Sequence, residues 1–488
     1  MKNNNFYITT TLPYVNSDPH IGFAMEIIRA DAIARCKKLQ GYNVFFNTGT
    51  DEHGVKIFRN AEAKGITAQT FVDENAKKFK DMLPKLGILP EVNFIRTTDV
   101  HHVKAAQEFW KICDKNGYIY KKNYTINYCS GCELEKTNSD LTDGKCPFHP
   151  NLEIEYISEE NYFFKFSVFQ EKLLNFYKEN KNFVIPDFRF KEIKTFVERG
   201  LQDFSISRLK EKMPWGIEVP GDTKQVMYVW FDALVNYISA IGWPDNMQEF
   251  NKWHTENGGM VQYCGKDNLR QQASMWQAML MAAGLSPSKT IVIDGFITGA
   301  GGIKMSKSLG NTIDPNEIVS EYGTDALRYY LLREISSFED SPFTKEMFKD
   351  AYNANLANGL GNLSSRILTL SEKYLEKCLV YPVESGEISK KIIPQEFFDY
   401  LEEFDIKKAM DFIWDKIQNL DKKIQETQPF KVIKTDEEIG KGMIEELVLE
   451  LYSIAQMLGP VMPETNEKLK KLIIENKKPE TPLFLRKE

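Results

Sequence analysis

Cysteine is scarce in this chain, and so are long apolar runs and any excess of basic charge. Seven cysteines in 488 residues are too few to staple a protein of this size with disulfides. No run of about 18 uncharged apolar residues occurs, the length that a membrane-spanning helix needs. The opening MKNNNFYITTTLPYV lacks the cationic and then apolar segments of a secretory leader. These absences point to a cytoplasmic protein with no membrane partner. Lys and Arg number 62 against 69 Asp and Glu, a formal charge of −7, which excludes a general positive field for coating nucleic acid. Any nucleic acid must meet local patches. There is no internal repeat and no low-complexity tract. What remains is an ordinary globular composition, 42% apolar and 12% aromatic, enough for about two to four domains with their own cores.

The order of patterns along the chain gives the architecture. FYITTTLPYV is β-branched and aromatic and ends in the turn-like NSDP; helical spacing follows over 21–39, and then the β-rich YNVFFNTGT. Strand, helix, strand is the unit of a parallel sheet, whose ligands lie beyond the carboxyl ends of its strands. Further helices are predicted over 68–86 and 100–116. From residue 117 the texture changes to short strand-like pieces, YIYKKNYTINYCSGCE and NLEIEYISEENYFFKF, which read as an insertion. The sheet pattern resumes at KQVMYVWFDALVNYISAIG and continues through MVQYCGKDN and TIVIDGFI. After residue 350 no strand is predicted, and apolar residues recur at three and four in LGNLSSRILTLSEKYL, MDFIWDKIQNLDKKI and MIEELVLELYSIAQML, a helical bundle. The Lys-rich tail from Lys468 reads as a frayed helix end.

Three groups of residues carry chemistry. Cys129, Cys132, Cys146 and His149 form C-x2-C-x13-C-x2-H, two chelating knuckles of the kind that build a closed, tetrahedral structural zinc site. Cys36, Cys113, Cys264 and Cys378 are isolated and read as small buried apolar residues. In PHIG, a helix starting near Pro19 would aim free N–H groups and the positive end of its dipole at the crevice, a seat for phosphate. There His20 can donate to phosphate oxygen, and Gly22, lacking a Cβ, lets a flat nucleoside approach. Taken alone, the same motif also reads as a turn histidine capping its own helix. In KMSKS, Lys304 and Lys307 stand on a loop after a glycine-rich turn, suited to compensating charge on a leaving pyrophosphate; alone, it also reads as an exposed Lys/Ser loop.

PHIG in the first βαβ unit, KMSKS far downstream and a helical C-terminal part together resemble the class I aminoacyl-tRNA synthetases. TLPYVNSDPHIG, NTGTDEHG, CSGCE…CPFH, YVWFDALVNY, GKDNLRQQASMWQAML, GGIKMSKSLGNTIDP and YGTDALRYYLL narrow the resemblance to the methionyl-tRNA synthetase family. The resemblance implies an α/β protein: a Rossmann-like parallel-sheet catalytic domain split by a zinc-binding connective insertion, then an all-α helical-bundle anticodon-binding domain. Its divisions would be 1–116 and 216–300 for the two catalytic halves, 117–215 for the insertion, 301–350 for the KMSKS loop and junction, and 351–488 for the bundle.

The implied reaction is ATP-dependent ligation of L-methionine to methionine tRNA, initiator and elongator, through methionyl-adenylate. The resemblance implies His20, Gly22, Gly265, Asp267, Lys304 and Lys307 at ATP, with His20 and the two lysines as the catalytic groups. It implies Leu12, Tyr14, Asp51, Trp230, Ala233, Leu234, Tyr237 and Gln272 around methionine, and Asn362 and Arg366 at the anticodon. One structural Zn2+ per chain, Mg2+ with ATP and a monomeric state complete the expectation. A carboxylate such as Asp51 suits an α-ammonium, and aromatic and aliphatic walls suit a thioether. Two positions depart from the family pattern: Phe23 ends the signature where histidine is usual, and Gln272 stands where histidine is common. The competing readings are another class I synthetase and a catalytically inactive zinc-containing tRNA-binding protein.

Overall fold

The computed structural model describes residues 4–132, 134–136, 140–303, 305, 312–376 and 392–488. Six strands form one parallel sheet: β1 (Asn5–Thr10), β2 (Asn43–Thr50), β3 (Asn93–Arg96), β4 (Val184–Ile185), β5 (Val261–Gly265) and β6 (Thr290–Asp294), in the spatial order β3-β2-β1-β5-β6-β4. Ile8 of β1 pairs with Phe46 on one side and Val261 on the other. Strand order reverses between β1 and β5, which opens the crevice where such sheets bind ligands. Helices α1 (Ile21–Leu39), α2 (Val55–Ala63), α3 (Ala68–Lys85) and α4 (Val100–Lys115) supply the first crossovers.

Helix α1 is buried around nearly its whole circumference, so its charged residues must find partners inside. Asp31 meets Arg328 at 2.8 Å and Arg35 at 2.7 Å, and accepts from the Leu89 N–H at 2.8 Å. Arg328 also donates to the carbonyls of Leu86, Pro460 and Val461. One ion pair therefore joins α1, the turn after α3 and the C-terminal helices. Beyond residue 345 the elements among the described residues are all helices, and the helices Ile406–Thr427, Glu437–Leu458 and Pro463–Ile474 share a continuous core with α1.

Between the two halves of the sheet runs an antiparallel arm. Strand Ile119–Cys129 pairs with Glu155–Phe164 over ten residues, and Leu134–Lys136 folds back on the first. Cys129 thus stands at the far tip of the arm.

Three features differ from the sequence expectations. Val184–Ile185 joins the parallel sheet from within the stretch read as insertion; two residues are too short to show a period. KQVMYV does not resume that sheet: Asp222–Met227 is the centre of a separate three-stranded antiparallel sheet. The tail after Lys468 does not fray. Leu469 and Ile473 are buried, Phe484 packs on Tyr352, and the Tyr352 hydroxyl donates to the Leu485 carbonyl at 2.9 Å. The expected burial of Cys36, Cys113 and Cys264 is observed, while Cys378 lies outside the described residues.

Truncating Asp31 to alanine strips Arg328 of its buried counter-charge and is expected to cost about 3–5 kcal/mol, read as a lowered urea midpoint. Lys77→Ala, which removes an exposed i,i+4 pair with Asp81, should cost under about 1 kcal/mol.

Candidate active site

A cavity of about 430 Å³ opens at the carboxyl ends of β1, β2, β5 and β6, at the reversal of strand order. It gathers Leu12, Tyr14, His20, Gly22, Asp51, Trp230, Ala233, Leu234, Tyr237, Gly265, Asp267 and Gln272 from positions scattered along the chain. Every residue expected at ATP or methionine lies here except Lys304 and Lys307, which fall outside the described residues. The turn leading into their segment is closed by the Gly299 N–H donating to the Ile303 carbonyl at 2.7 Å, and Ile297 just before it lines the cavity.

At one end His20 is the N-cap of α1, its Nδ1 accepting from the Gly22 N–H at 3.0 Å. A neutral imidazole that accepts at Nδ1 carries its proton on Nε2. The capping role is therefore real, and it fixes the tautomer that donates elsewhere. Gly22 matters for a reason not foreseen: a Cβ there would lie 2.9 Å from the His20 ring. Gly265 likewise makes room for Asp267, whose carboxylate a Cβ would meet at 2.8 Å. Phe23, in place of the usual histidine, lines the cavity and packs edge-on against Phe79 with centroids 5.0 Å apart.

Glu26, Asp294 and Phe296 also line this end and were not singled out from the sequence. Glu26 accepts from the Thr11 N–H at 2.7 Å; burial and then the neighbouring Asp294 push its carboxyl well above the usual range. Asp294 is likewise raised by burial, against the pull of Arg29 at 2.9 Å. Neither carries a local signature, because their partners are distant in sequence.

At the other end the aromatic and aliphatic walls are Leu12, Trp230, Ala233 and Leu234, with Asp51 at the end of β2 held to Tyr14 by a backbone bridge. The floor is a tyrosine held by an amide: Gln272 Nε2 donates to the Tyr237 hydroxyl at 2.7 Å, and Gln262 Nε2 donates to Gln272 Oε1 at 2.8 Å. Glutamine thus reaches Tyr237, which is 1% exposed.

At the tip of the arm the donor atoms of Cys129, Cys132, Cys146 and His149 all lie within 4.8 Å of one another. A tetrahedral zinc with bonds of about 2.3 Å to sulfur and 2.0 Å to nitrogen sets its donors roughly 3.5–3.8 Å apart. Cys132 Sγ is 3.4 Å from Cys146 Sγ and 3.3 Å from His149 Nδ1, and Cys129 and Cys146 lie 3.8 and 3.9 Å from that nitrogen. A Cβ on Gly131 would strike the His149 ring at 2.5 Å. None of these cysteines forms a disulfide, so the donor set fits a metal. Gly131 and Cys132 also line the cavity, which brings the knuckle to the site.

Asn362 and Arg366 are both exposed on the helix Asn362–Tyr374, one turn apart, and Arg366 forms an ion pair with Asp421 of the neighbouring helix. Trp414 is buried core, its ring tilted against that of Tyr329 with centroids 4.7 Å apart. No helix among the described residues is long and apolar enough to cross a membrane.

Comparison with known proteins agrees with this geometry. The family described as "tRNA synthetases class I (M)" matches residues 6–154 and 138–368. The methionine–tRNA ligase of Caldanaerobacter subterraneus subsp. tengcongensis is 40% identical over 473 residues, 95% of this chain and 73% of that protein. That of Thermotoga maritima is 40% identical over 486 residues, 97% of this chain and 76% of its own. Among solved structures, Mycobacterium tuberculosis methionyl-tRNA synthetase in complex with methionyl-adenylate has a TM-score of 0.88 at 33% identity, covering 96% of this chain and 93% of that one. Its apo form scores 0.82 at 29% identity, covering 99% and 98%. Likeness at this identity, running through both halves of the sheet, the metal arm and the helices beyond, means that the chain belongs to the methionyl-tRNA synthetase family of class I aminoacyl-tRNA synthetases.

Proposed function

We propose that the chain activates L-methionine with ATP and transfers it to methionine tRNA. The observation that carries this reading is one cavity with two differently built ends, an apolar one with a carboxylate and a helix-capped one with a histidine donor. In the first step a methionine carboxylate oxygen bonds to the α-phosphorus and the bond to pyrophosphate breaks. In the second, a terminal ribose hydroxyl of the tRNA attacks the carbonyl carbon, losing its proton as AMP leaves. No covalent enzyme intermediate is required, so catalysis rests on placement and on charge compensation.

Asp51 would pair with the α-ammonium and Trp230, Leu12, Ala233 and Leu234 would enclose the thioether, with Tyr237 and Gln272 beneath it. His20, through Nε2–H, would donate to phosphate oxygen at the amino end of α1; Gly22, Gly265 and Asp267 would border the nucleoside. Lys304 and Lys307, with Mg2+ accompanying ATP, would meet the charge that gathers on pyrophosphate. Asn362 and Arg366 offer an amide and a guanidinium suited to unstacked anticodon bases; opening the pair with Asp421 would release Arg366 for them. Zinc is the ion we assign to Cys129, Cys132, Cys146 and His149. Four protein donors leave no open position, so it would close the tip of an arm that has little core of its own.

ATP–pyrophosphate exchange across a panel of amino acids tests the assignment: methionine alone should support exchange, and His20→Ala should lower its rate about 10²- to 10³-fold, the effect of removing one donor to developing charge. A response to leucine, valine, isoleucine or cysteine instead would move the chain to another synthetase specificity. Retained tRNA binding with no exchange would make it an inactive binder.

Phe23→His should keep exchange active, since both rings can occupy that wall of the cavity; collapse of exchange in a folded variant would contradict this. Metal analysis of protein never exposed to chelator should find about one zinc per chain, and Cys146→Ala should bring it below half an equivalent. Less than half an equivalent in the unaltered protein would refute the zinc site.

A further inference from the structure

The two walls of the amino-acid end come from segments far apart in sequence, the residues after β2 and the helix Val229–Ala233. Behind the cavity they are joined by one carboxylate gripped between two imidazoles. Asp232, 0% exposed, lies 2.7 Å by Oδ2 from His53 Nδ1 and 3.0 Å by Oδ1 from His102 Nε2. His102 is itself fully buried on α4, with Nδ1 at 3.0 Å from Ser239 Oγ. None of the four belongs to the cavity lining.

Their place in the chain gives the link its reach. His53 is two residues beyond Asp51, and Asp232 is flanked by Trp230 on one side and Ala233 and Leu234 on the other. A shift of the Asp232 carboxylate therefore moves both walls. The residue between Asp51 and His53 is anchored on the opposite side: Glu52 takes a fork of two bonds from Arg96 at 2.7 and 2.8 Å and one from the Thr98 hydroxyl at 2.6 Å. Trp215, whose indole N–H donates to the Glu52 carbonyl at 2.6 Å, packs its ring 5.5 Å from that of His53. Asp51 is thus followed by two anchored residues, Glu52 held toward β3 and His53 held toward the Trp230 helix.

We infer that Asp232, bridged by His53 and His102, is a positioning residue for amino-acid recognition, setting the distance between the Asp51 carboxylate and the Trp230 wall. The inference rests on the proposed assignment of that end of the cavity to methionine. Charge-assisted hydrogen bonds in a dry interior are directional and strong, and each imidazole is carried by a different element, so the carboxylate holds three elements in register. Burial alone would raise the Asp232 carboxyl, but the two imidazoles outweigh it and hold it below the usual range, in the ionised form the bridge requires. The nucleotide end, built on α1, β5 and β6, has no bond to this bridge among those described.

The test separates the two ends by kinetics. Asp232→Ala should raise the KM for methionine in pyrophosphate exchange at least tenfold while the KM for ATP stays within twofold. His102→Gln, which leaves the His53 bond in place, should raise the methionine KM about threefold to fivefold. The double variant should be no worse than Asp232→Ala alone, because both changes act through one carboxylate. Equal rises in the two KM values, an unchanged methionine KM, or full additivity would overturn the inference. If Asp232→Ala does not fold, the methionine-to-ATP split in His102→Gln decides it. Failure of the unaltered protein to exchange with methionine would instead strike the proposed function, so the two failures are distinguishable.

Discussion

One guanidinium holds the active half of the molecule together. Arg29, in the middle of α1 and 2% exposed, donates to Asp294 at 2.9 Å, to the carbonyls of Ser336 and Ser337 at 2.7 and 3.1 Å, and to those of Leu331 and Ile335 at 3.4 Å. A cation in a dry core is tolerable only with a counter-charge and a full set of acceptors, and the planar fork of arginine can serve that many where an ammonium could not. The three segments it joins are the helix capped by His20, the end of β6 just before the lysine loop, and the stretch that leads into the C-terminal helices. The His20 end of the cavity and the approach to the second motif thus share one fixed origin.

That arrangement leaves the cavity short of positive charge. Glu26, Asp51, Asp267 and Asp294 line it, and Lys56 is the one ammonium among its described lining residues. Burial counters part of the imbalance by pushing Glu26 and Asp294 toward their neutral forms. A triphosphate still needs more, and a helix terminus supplies only about half an elementary charge. The remainder must come from groups beyond the described lining or from ions that arrive with the nucleotide, which is the physical argument for the proposed roles of Lys304, Lys307 and Mg2+.

What the sequence revealed was what lies close together along it. The bounds of α1 agree with the apolar spacing over 21–39, the donor set of the metal knuckle follows from two short spacings, and the described residues expected at ATP or methionine line one cavity. The bonds that make them converge were invisible. Arg29 and Asp294, Asp31 and Arg328, and His102 and Asp232 are separated by more than a hundred residues each, and an isolated charge in an apolar helix carries no mark of its partner. Val184–Ile185 is too brief to show alternation, and KQVMYV alternates equally well for an antiparallel sheet, so strand character was legible there and sheet membership was not. His20 caps its own helix, one of the two readings its motif allowed, and that bond leaves the imidazole proton on Nε2, the atom through which the proposed contact with phosphate would be made.

The replacement of the common histidine by Gln272 follows the same logic of directed donors. The Ser288 N–H donates to Gln277 Oε1, and Gln277 Nε2 donates to the Gln272 carbonyl, so backbone groups fix which way that first amide points. Its Nε2 also donates to the Ser288 hydroxyl, which must then give its proton to Gln262 Oε1; Gln262 Nε2 donates to Gln272 Oε1, and Gln272 Nε2 to the Tyr237 oxygen. Every step has one allowed direction, and the last leaves the Tyr237 proton to point away from the amide. A histidine in that position could present either a donor or an acceptor to the tyrosine, according to tautomer and pH. The amide relay has no titrating member, so the polarity of the tyrosine at the floor is set by the backbone at the far end of the chain of bonds.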